Sequence, residues 1–399
     1  MFMRVNSICA HQVRHHWVPR ATDGADAACP RAVLPSSATQ ISKGSASAEI
    51  GRQRLTPSEA DCGLTTPKGA LVKAVLHTHY GSPDLLELRE VDKPIPKANE
   101  VLIAIHATTV STGDCNIRNF TFVTKSMRPI AKLMFGIGKP WKERILGTEL
   151  AGEVEGAGQD VARFKTGDRV VASTGMAGGG HAQYACLPET GAVVIKPDSL
   201  TWEEAVAIPF GANTALHFLR DLGKIRAGQE LLIIGASGAI GSAGVQLAKH
   251  FGATVAGVCS GANVELVKSL GADTVIDYTR DDFTKNGKTY DLIFDVVGAT
   301  TFDRCQHSLK PNGIFLQNIM ELTDVVRVLW TSIASRKKIK GGVAINNLKR
   351  MSFIAELVAA GKLRPVIDRS YPLERIAEAF KHVEQGHKKG NVVITVAHS

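Results

Sequence analysis

An uncharged stretch of eighteen residues, Leu231 to Ala248 (LLIIGASGAIGSAGVQLA), limits how this chain can fold more than any other feature. A membrane-spanning helix needs about 20 apolar residues, so length alone admits a membrane span. The order of the residues argues against it, because a β-rich run, Leu231 to Ile234, leads directly into glycines and a helical pattern begins only at Ile240. The stretch therefore predicts a strand, a tight turn and a helix.

The turn between this strand and helix has the glycine spacing of a dinucleotide-binding site. Gly235 and Gly238 would let the backbone turn sharply and approach a pyrophosphate, and Gly241 would let the helix pack closely on the strand. The alternative is a tight turn with a structural role only. The predicted cofactor-binding residues of the turn are Gly235, Ser237, Gly238, Ala239, Ile240 and Gly241.

The end of the second strand, GVCSGAN at residues 257–263, bears on which dinucleotide binds. An NAD site usually has an Asp or Glu about 20 residues after the glycines, which binds the ribose 2′-hydroxyl. Here no acid occurs before Glu265, and Ser260 and Asn263 could bond to a 2′-phosphate, although the arginine that would strengthen the case is missing. We predict NADPH as the cofactor, with NADH as the alternative.

The composition fits a globular enzyme of two domains and does not favour a nucleic-acid partner. The 399 residues are 44% hydrophobic and 21% charged, and the net charge of +9 comes without a dense run of Lys or Arg. The seven cysteines are scattered and include no C-x-x-C pair of the kind that builds zinc sites or redox dithiols. We therefore expect a reducing compartment and a cytoplasmic protein.

Residues 1–70 differ in character from the rest, and we expect them to have little fixed structure. The first twenty contain arginines and no acid, and the residues after them are mostly small and polar without a helical or strand period. An apolar signal-peptide core is not found. We prefer the interpretation that the start codon is placed too far upstream, because VKAVLHTHYG from Val72 resembles a first strand. The alternative is an organellar transit peptide, which would direct the protein to the mitochondrial matrix.

Two patterns of secondary structure follow this extension. Residues 71–196 contain short strands such as EVLIAIHATTV, typical of a mostly antiparallel, partly barrel-like domain that residues 365–399 would complete. Residues 197–364 alternate strands and helices, which predicts a parallel sheet with right-handed crossovers. The predicted strands of this second domain are Leu231 to Gly235, Thr254 to Cys259, Thr274 to Asp277, Asp291 to Val296 and Gly313 to Gln317.

From Val72 to Val396 the chain resembles the medium-chain dehydrogenase/reductase superfamily. GTELAGEVEGAGQDVARFKTGDRV is similar to the superfamily signature, and GASGAIGSAGVQLAK, GADTVIDY and GKLRPVIDRSYPL resemble its zinc-free quinone-oxidoreductase branch. The resemblance implies an α/β protein with a GroES-like, mostly-β catalytic domain and a Rossmann domain built on a doubly wound parallel sheet. It also implies a cleft between them for cofactor and substrate, and a homodimer. Many such sequences are called NAD(P)-dependent alcohol dehydrogenases.

Zinc members of the superfamily hold a catalytic metal at three positions. In this chain the three are Ser111, Thr148 and Phe210. None is a zinc ligand, since zinc sites use Cys, His or carboxylate side chains. Asp114, Glu149 and His181 could be proposed as zinc ligands in their place, but the spacing of these three residues fits no known ligand pattern. We predict that no zinc is bound.

Reduction of a quinone or an α,β-unsaturated carbonyl can proceed without a metal. The protein needs to hold the acceptor against the nicotinamide, donate hydrogen bonds to its oxygen and let a hydroxyl or water deliver the proton. The resemblance places Ser111, Thr112 and Thr148 near the nicotinamide as candidate donors, although each could be a structural turn hydroxyl. Asp114 would be an orienting residue, paired with Arg118.

Further cofactor contacts follow from the same resemblance. It implies that Tyr278 packs beside the adenosine 2′-phosphate. It also implies that the chain passes the nicotinamide half of the cofactor at Asn213, Thr214, Val297 and Gly298. Structural packing is the alternative role for each residue.

An apolar and basic insertion follows the first strands, at residues 120–142. Its apolar side chains include Phe120, Phe122, Met127, Leu133, Met134, Phe135 and Trp141, and its basic ones are Lys125, Arg128, Lys132, Lys139 and Lys142. Such a stretch is most often core with a solvated rim. We predict a lid over a hydrophobic acceptor site, in peripheral contact with a membrane that holds quinone.

Three functions remain open from the sequence, and the first is favoured. It is an NADPH-dependent reductase of a small hydrophobic quinone or α,β-unsaturated carbonyl. The second is an NAD(P)-dependent alcohol dehydrogenase, and the third is a cofactor-binding sensor or structural protein with little turnover. Function depends on the site and not on the fold, so metal analysis and a panel of acceptors would separate them.

Overall fold

A computed structural model describes residues 69–123, 128–318, 328, 331, 335–345 and 347–398. The predicted N-terminal extension, residues 1–70, lies outside them except for its last two residues. The strands are β1 (Leu71–His77), β2 (Leu86–Asp92), β3 (Glu100–Val110), β4 (Arg144–Ile145), β5 (Glu149–Ala157), β6 (Arg169–Ser173), β7 (Tyr184–Pro188), β8 (Ala192–Ile195), β9 (Glu230–Ile234), β10 (Thr254–Cys259), β11 (Thr274–Asp277), β12 (Tyr290–Asp295), β13 (Leu309–Gln317), β14 (Lys338–Gly341), β15 (Ile367–Pro372) and β16 (Asn391–Thr395). The α-helices are α1 (Thr112–Arg118), α2 (Arg128–Phe135), α3 (Trp202–Val206), α4 (Pro209–Leu216), α5 (Ala239–His250), α6 (Val264–Ser269), α7 (Phe302–Cys305), α8 (Leu348–Ala359) and α9 (Ile376–Glu384), and a π-helical turn (His217–Leu222) follows α4.

Strands β9 to β14 form a six-stranded parallel sheet. Its order is β11-β10-β9-β12-β13-β14, so the chain builds outward from β9 in one direction and then returns to build from β12 in the other. In open α/β sheets, ligands bind at the carboxyl ends of the strands where the order reverses. The predicted doubly wound parallel sheet is confirmed, and its switch point lies between β9 and β12.

The lack of charge in β9 follows from burial of both faces of this sheet. Successive side chains of a strand point to opposite faces. Leu231 and Ile233 pack into one hydrophobic core, whereas Leu232 and Ile234 pack into another on the opposite face. Val245 and Leu247 of α5 join the first of these cores. None of the helices described has the length and apolar character needed to cross a bilayer.

A second, mostly antiparallel sheet combines strands of the N-terminal half, beginning with β3, with the last two strands of the chain. Its order is β15-β16-β3-β5-β6-β8, with β7 also paired to β3. The C-terminal strand β16 pairs antiparallel with β3, so that Val392 lies opposite Val110. A further three-stranded sheet has the order β2-β1-β4. After completing the parallel sheet, the chain thus returns to the antiparallel sheet that contains β3.

Several strand ends differ from those predicted. Strand β9 ends one residue before Gly235, because Gly235 has φ +86° and has already left the extended conformation. Strand β12 is displaced by one residue and spans Tyr290–Asp295. Strand β13 begins at Leu309 and not at Gly313, since the ladder to β12 continues through a register irregularity across the Pro-Asn-Gly run. That run is typical of a turn, which is why the prediction started after it.

Candidate active site

Two glycines of the turn after β9 serve the packing of the turn itself. A Cβ atom at Gly235 would lie 2.7 Å from a side-chain carbon of Val297, and the residue's positive φ already disfavours other side chains. A Cβ atom at Gly241 would lie 2.1 Å from the carbonyl oxygen of Gly235. Both positions therefore need glycine for the strand, turn and helix to approach one another.

Gly238 differs, because the protein leaves space at its α-carbon. The nearest atom to a Cβ there would be the carbonyl oxygen of Gly235 at 3.6 Å, and its φ of −77° suits any residue. Helix α5 begins at the next residue, and N–H groups in the first turn of a helix lack acceptors within the helix. A pyrophosphate can accept hydrogen bonds from these free N–H groups. The turn thus fits the predicted dinucleotide, with Ser237, Ala239 and Ile240 beside the open position.

A C-terminal segment that sequence analysis did not connect with the cofactor contacts this turn. The Gly390 N–H donates to the carbonyl oxygen of Ser237 at 2.8 Å, and Gly390 pairs with Gly238 as an isolated β-bridge. The Lys388 ammonium donates to the carbonyl oxygen of Gly390 at 2.6 Å, and burial lowers the pKa of Lys388 to about 8. A half-buried cation thus lies close to the glycine-rich turn. The basic HKKG sequence before β16 was the available signal.

The turn is tied to the end of the second parallel strand by one amide. The Asn263 Nδ2 donates to Ser237 Oγ at 3.2 Å and to Ser260 Oγ at 3.1 Å. Asn263 is buried, and its Oδ1 has no partner among the described residues. Asn263 therefore connects two predicted cofactor-binding residues, and its remaining acceptor is unsatisfied.

A carboxylate lies at the end of β10, although the sequence has no acid there before Glu265. Strands β10 and β11 run parallel with Cys259 opposite Asp277, so the residues after Cys259 meet the Asp277 carboxylate. A Cβ at Gly261 would lie 2.6 Å from Asp277 Oδ2. Hydrogen bonds from the side chain and backbone of Thr279 hold the pKa of Asp277 below its ordinary value. The sequence prediction considered only the residues after β10, whereas this acid belongs to the neighbouring strand β11.

Two residues after Asp277 extend this end of the site. Tyr278 is exposed, and its N–H donates to the carbonyl oxygen of Cys259 at 3.1 Å. Arg280 is exposed as well, with its Nε 3.7 Å from Asp277 Oδ2. Sequence analysis missed this arginine because it considered only the end of β10, whereas Arg280 lies three residues after the end of β11. A cation is therefore present beside Asp277 at the ends of β10 and β11.

The loop after β12 is shaped by a buried carboxylate that sequence analysis did not single out. Asp295 accepts hydrogen bonds from the N–H groups of Val297 at 3.1 Å, Gly298 at 2.9 Å and Thr300 at 2.9 Å. Gly298 has φ +71°, and Val297 is half exposed with its side chain against Gly235. The two predicted residues of this loop, Val297 and Gly298, are thus held at the switch point of the sheet.

Helix α4 brings its predicted residues against the start of α5. A Cβ at Gly211 would lie 2.4 Å from the carbonyl oxygen of Ala239, so the two helices are in close contact. Asn213 and Thr214 are buried, and Asn213 Oδ1 accepts from Arg350 Nε at 2.8 Å. Asn213 therefore has a structural partner within the protein.

Ser111 and Asp114 form a capping box at the start of α1. The Ser111 N–H and hydroxyl donate to Asp114 Oδ2 at 2.8 Å and 2.6 Å, and the Asp114 N–H donates to Ser111 Oγ at 3.1 Å. The other oxygen of Asp114 accepts from the Gly147 N–H at 3.2 Å. Thr112, the first residue of the helix, is exposed. Asp114 thus fixes Ser111 and connects it to the segment that contains Thr148.

The predicted pairing of Asp114 with Arg118 is not found. The Asp114 carboxylate is directed to the helix start by the capping box, whereas the Arg118 guanidinium forms an ion pair with Glu384 of α9. Arg118 is almost fully buried, and Nε and Nη1 lack partners among the described residues. Helical spacing placed Asp114 and Arg118 on one face, but capping the helix competes for the same carboxylate.

Thr148 and Glu149 lie at the centre of the site. The Thr148 Oγ1 atom is buried and has no hydrogen-bond partner among the described residues. Glu149 is fully buried, and its carboxyl accepts from the Thr109 hydroxyl and from the Phe210 N–H. Burial raises the pKa of Glu149 to about 7, so this carboxyl titrates near neutral pH. Sequence analysis had considered Glu149 only as a metal ligand.

The segments that contain Ser111, Thr148 and Phe210 converge here. The Gly147 N–H bonds to Asp114, the Phe210 N–H bonds to Glu149, and a Cβ at Gly113 would lie 3.9 Å from the Phe210 ring. His181 Nε2 lies 2.8 Å from the carbonyl oxygen of Thr109. Within the described ranges, no group of three or more His, Cys, Asp or Glu side chains is placed to hold a metal ion.

Part of the predicted lid packs against the body of the protein. The rings of Phe120, Phe122 and Phe135 contact one another edge to face, with centroids 5.1 to 6.4 Å apart. Phe120 is buried, so it belongs to the core and not to a lid surface. Lys125 and Met127 lie outside the described residues. The exposed part of the insertion begins with α2.

Comparison with protein families and known proteins agrees with these features. Residues 97–198 match the alcohol dehydrogenase GroES-like domain, and residues 270–394 match the zinc-binding dehydrogenase family. Human NAD(P)H oxidoreductase RTN4IP1, mitochondrial, is 32% identical over 371 residues, which cover 85% of this chain and 93% of the relative. The 2-methylene-furan-3-one reductase of Solanum lycopersicum is 32% identical over 336 residues, covering 81% of this chain and 79% of the relative.

A solved structure has the same architecture. The quinone oxidoreductase from Coxiella burnetii superposes with a TM-score of 0.72 at 27% identity, covering 82% of this chain and 100% of that protein. The predicted combination of a GroES-like domain and a Rossmann domain is therefore confirmed.

Proposed function

Because this chain belongs to the medium-chain dehydrogenase/reductase superfamily, in its quinone-oxidoreductase-like branch, and is an NAD(P)H-dependent oxidoreductase, we propose a specific reaction for it. The protein transfers hydride from NADPH to a small hydrophobic quinone or α,β-unsaturated carbonyl, without a metal. Quinone and conjugated-ketone reduction appear in the names of similar proteins. The site residues supply the further support.

The Thr148 hydroxyl is the observation that carries this proposal. A buried polar atom without a partner is costly, so the unsatisfied Thr148 hydroxyl favours a bound oxygen as its partner. Ser111 cannot serve equally well, since its proton is already directed to Asp114 Oδ2 at 2.6 Å. Thr148 therefore donates to the acceptor oxygen, while Ser111 and Asp114 hold the neighbouring backbone in position.

The remaining residues bind and orient. The open position at Gly238 and the first turn of α5 bind the pyrophosphate, with the Lys388 ammonium adding positive charge. Asp295 holds the Val297–Gly298 loop against the nicotinamide half. When bound, the cofactor supplies the hydride. The protein contributes orientation and a hydrogen bond to the oxygen that gains negative charge.

The two other functions have less support from the site. An alcohol dehydrogenase needs a way to stabilise an alkoxide, usually a metal ion. Ser111, Thr148 and Phe210 stand at the metal-ligand positions and offer no zinc ligand. A sensor would bind the cofactor and show no acceptor-dependent oxidation. The two alternatives therefore differ from the proposal in a single assay.

Steady-state oxidation of NADPH with a panel of acceptors tests the proposal. We expect turnover with a short-chain quinone or an α,β-unsaturated ketone, and little reduction of NADP⁺ with simple alcohols. Alcohol oxidation as the main activity would support the dehydrogenase instead. Cofactor binding without turnover on any acceptor would support the sensor.

The Thr148→Val variant refines this test, because valine keeps the shape of threonine and removes only the hydroxyl. We expect kcat to fall by about tenfold to a hundredfold while the Kd of NADPH is unchanged. The matched control is Thr112→Val, which removes an exposed hydroxyl from the first residue of α1. We expect this control to lose less kcat than Thr148→Val. Equal kcat in wild type and Thr148→Val would show that the Thr148 hydroxyl takes no part in the reaction.

We also propose a modest preference for NADPH over NADH. Ser260, Tyr278 and Arg280 surround the ends of β10 and β11, where their hydroxyls and guanidinium suit a 2′-phosphate. The negative charge of Asp277 would repel a phosphate at this position. Its Oδ1 already accepts from the N–H and hydroxyl of Thr279, at 3.0 Å and 2.7 Å. The preference is modest because the two charges partly cancel.

The ratio of cofactor affinities checks this preference. We expect Arg280→Ala to weaken NADPH binding by about tenfold, about 1.4 kcal/mol, and to leave NADH binding unchanged, because only NADPH carries the phosphate. Ser260→Asp should reverse the order, since a second carboxylate repels the phosphate. Dissociation constants from fluorescence titration decide the matter. Tighter binding of NADH by the wild type, or an unaltered ratio in both variants, would place the 2′-phosphate elsewhere.

A further inference from the structure

Helix α2 and the loop after it present large apolar side chains to solvent. They are between 43% and 72% exposed. We call this group the α2 surface, and it consists of Ile130, Leu133, Met134, Ile137 and Trp141. Fifteen large hydrophobic side chains are exposed in the described residues, and five of them lie within these twelve positions. Scattered exposed apolar residues are ordinary, whereas a cluster of this kind marks a binding surface.

The charges around the α2 surface all have one sign. Arg128, Lys132, Lys139 and Lys142 are interleaved with the apolar residues, and residues 128–142 contain no Asp or Glu. The three lysines are exposed. The next residue, Glu143, is already paired with Arg89, with Nη1 and Oε2 3.5 Å apart. The surface therefore complements a partner that is both apolar and negatively charged.

The α2 surface is held firmly on the protein. The Tyr80 hydroxyl donates to the carbonyl oxygen of Phe135 at 3.0 Å, and the Tyr80 N–H donates to that of Gly138 at 3.1 Å. Ala131 and Gly136 of the same segment are buried. The Trp141 Nε1 donates to the carbonyl oxygen of Leu133 at 3.3 Å. The exposed side chains thus form a preformed surface and are not a loose end.

We propose that the α2 surface binds the face of an anionic lipid bilayer. Its apolar side chains enter the boundary between headgroups and acyl chains, and the lysines remain among the anionic headgroups. Tryptophan suits this boundary because its ring is apolar and its N–H is polar. A second copy of the chain fits less well, since a two-fold interface would bring the lysines of both copies together without carboxylates. The proposal goes beyond the reductase activity and does not depend on it.

Co-sedimentation of the full chain with lipid vesicles tests the proposal. We expect binding to vesicles of phosphatidylcholine and phosphatidylserine in equal parts, and much weaker binding to phosphatidylcholine alone. Salt should weaken the binding, because the lysines act through screened attraction. Leu133→Ser with Trp141→Ser removes the apolar contact, and Lys132→Glu with Lys142→Glu reverses the charge. Each pair should lower the bound fraction by about tenfold or more.

Control variants carry changes of the same kinds elsewhere on the surface, a pair of Ile→Ser changes and a single charge reversal. Ile95→Ser with Ile195→Ser, and Lys288→Glu, alter exposed residues outside the α2 surface and should bind vesicles like the wild type. Thermal unfolding and NADPH titration establish that each variant is folded. Failure of the wild type to bind the anionic vesicles would overturn the proposal. It would also be overturned if the controls lost as much binding as the α2 variants, or if Leu133→Ser with Trp141→Ser dissociated a dimer without changing lipid binding.

Discussion

Replacing Gly238 with valine is expected to weaken NADPH binding by at least a hundredfold, about 2.7 kcal/mol, while the protein stays folded. The protein itself has room for a Cβ at this position, where the nearest atom would be 3.6 Å away and φ is −77°. The space in front of Gly238 is the place where a pyrophosphate would approach the backbone. A side chain there therefore obstructs the ligand and not the fold. Fluorescence titration and thermal unfolding measure the two effects separately.

Gly241→Ala is the matched control. It adds a smaller side chain nearby, and we expect this side chain to obstruct the fold and not the ligand. Its Cβ would lie 2.1 Å from the Gly235 carbonyl oxygen, so the strand and helix must separate. We expect this change to lower the free energy of unfolding by roughly 2 kcal/mol. Unchanged NADPH affinity in folded Gly238→Val would show that the pyrophosphate does not bind at this turn.

The second large effect concerns the pH dependence of stability at Glu149. Burial raises the pKa of this carboxyl to about 7, compared with 4.5 when it is exposed to water. Between these values the folded state holds a proton that the unfolded state has lost, so the wild type loses stability as pH rises through the window. Glutamine keeps the shape and cannot ionise. We expect the stability of Glu149→Gln relative to wild type to increase by about 2 kcal/mol from about pH 5 to pH 8.

The comparison with Glu149→Gln is necessary because another buried group acts in the opposite direction. Burial lowers the pKa of His77 to about 4, so its contribution to stability rises with pH from about 4 to 6.5. His77 is present in both proteins, and its contribution cancels in the difference. Chemical denaturation at a series of pH values gives that difference. A pH-independent difference would mean that Glu149 does not titrate in this range.

The sequence was sufficient for the parts of the site that lie within one continuous segment. The run from Leu231 to Ile240 predicts strand, turn and helix because each residue's local preference agrees with its final environment. Gly241 shows the same agreement, since close packing of helix on strand leaves no room for a side chain. Local order along the chain therefore determined the glycine-rich turn and the parallel sheet.

Features that arise from neighbouring strands or distant segments were missed. Asp277 reaches Gly261, the residue after Ser260, only because β11 pairs with β10, and the spacing within the second strand carries no trace of that pairing. Gly390 reaches Ser237 from the far end of the chain. The Asp114 carboxylate caps the start of its own helix, whereas the predicted partner Arg118 pairs with Glu384. In the first two cases the deciding contact is tertiary, whereas the cap at Asp114 is a local contact within the helix start.

The most direct measurement of the central claim is deuterium transfer from NADPH that carries deuterium at both C4 positions to an α,β-unsaturated ketone, using enzyme treated with a zinc chelator. Hydride transfer to the β-carbon would leave the label on a carbon that does not exchange with water, and the α-carbon would gain its proton from a hydroxyl or solvent. We predict one deuterium per molecule of product, at the β-carbon, at the same rate before and after chelation. Product without deuterium, or transfer that depends on restored zinc, would contradict metal-free hydride transfer by this protein.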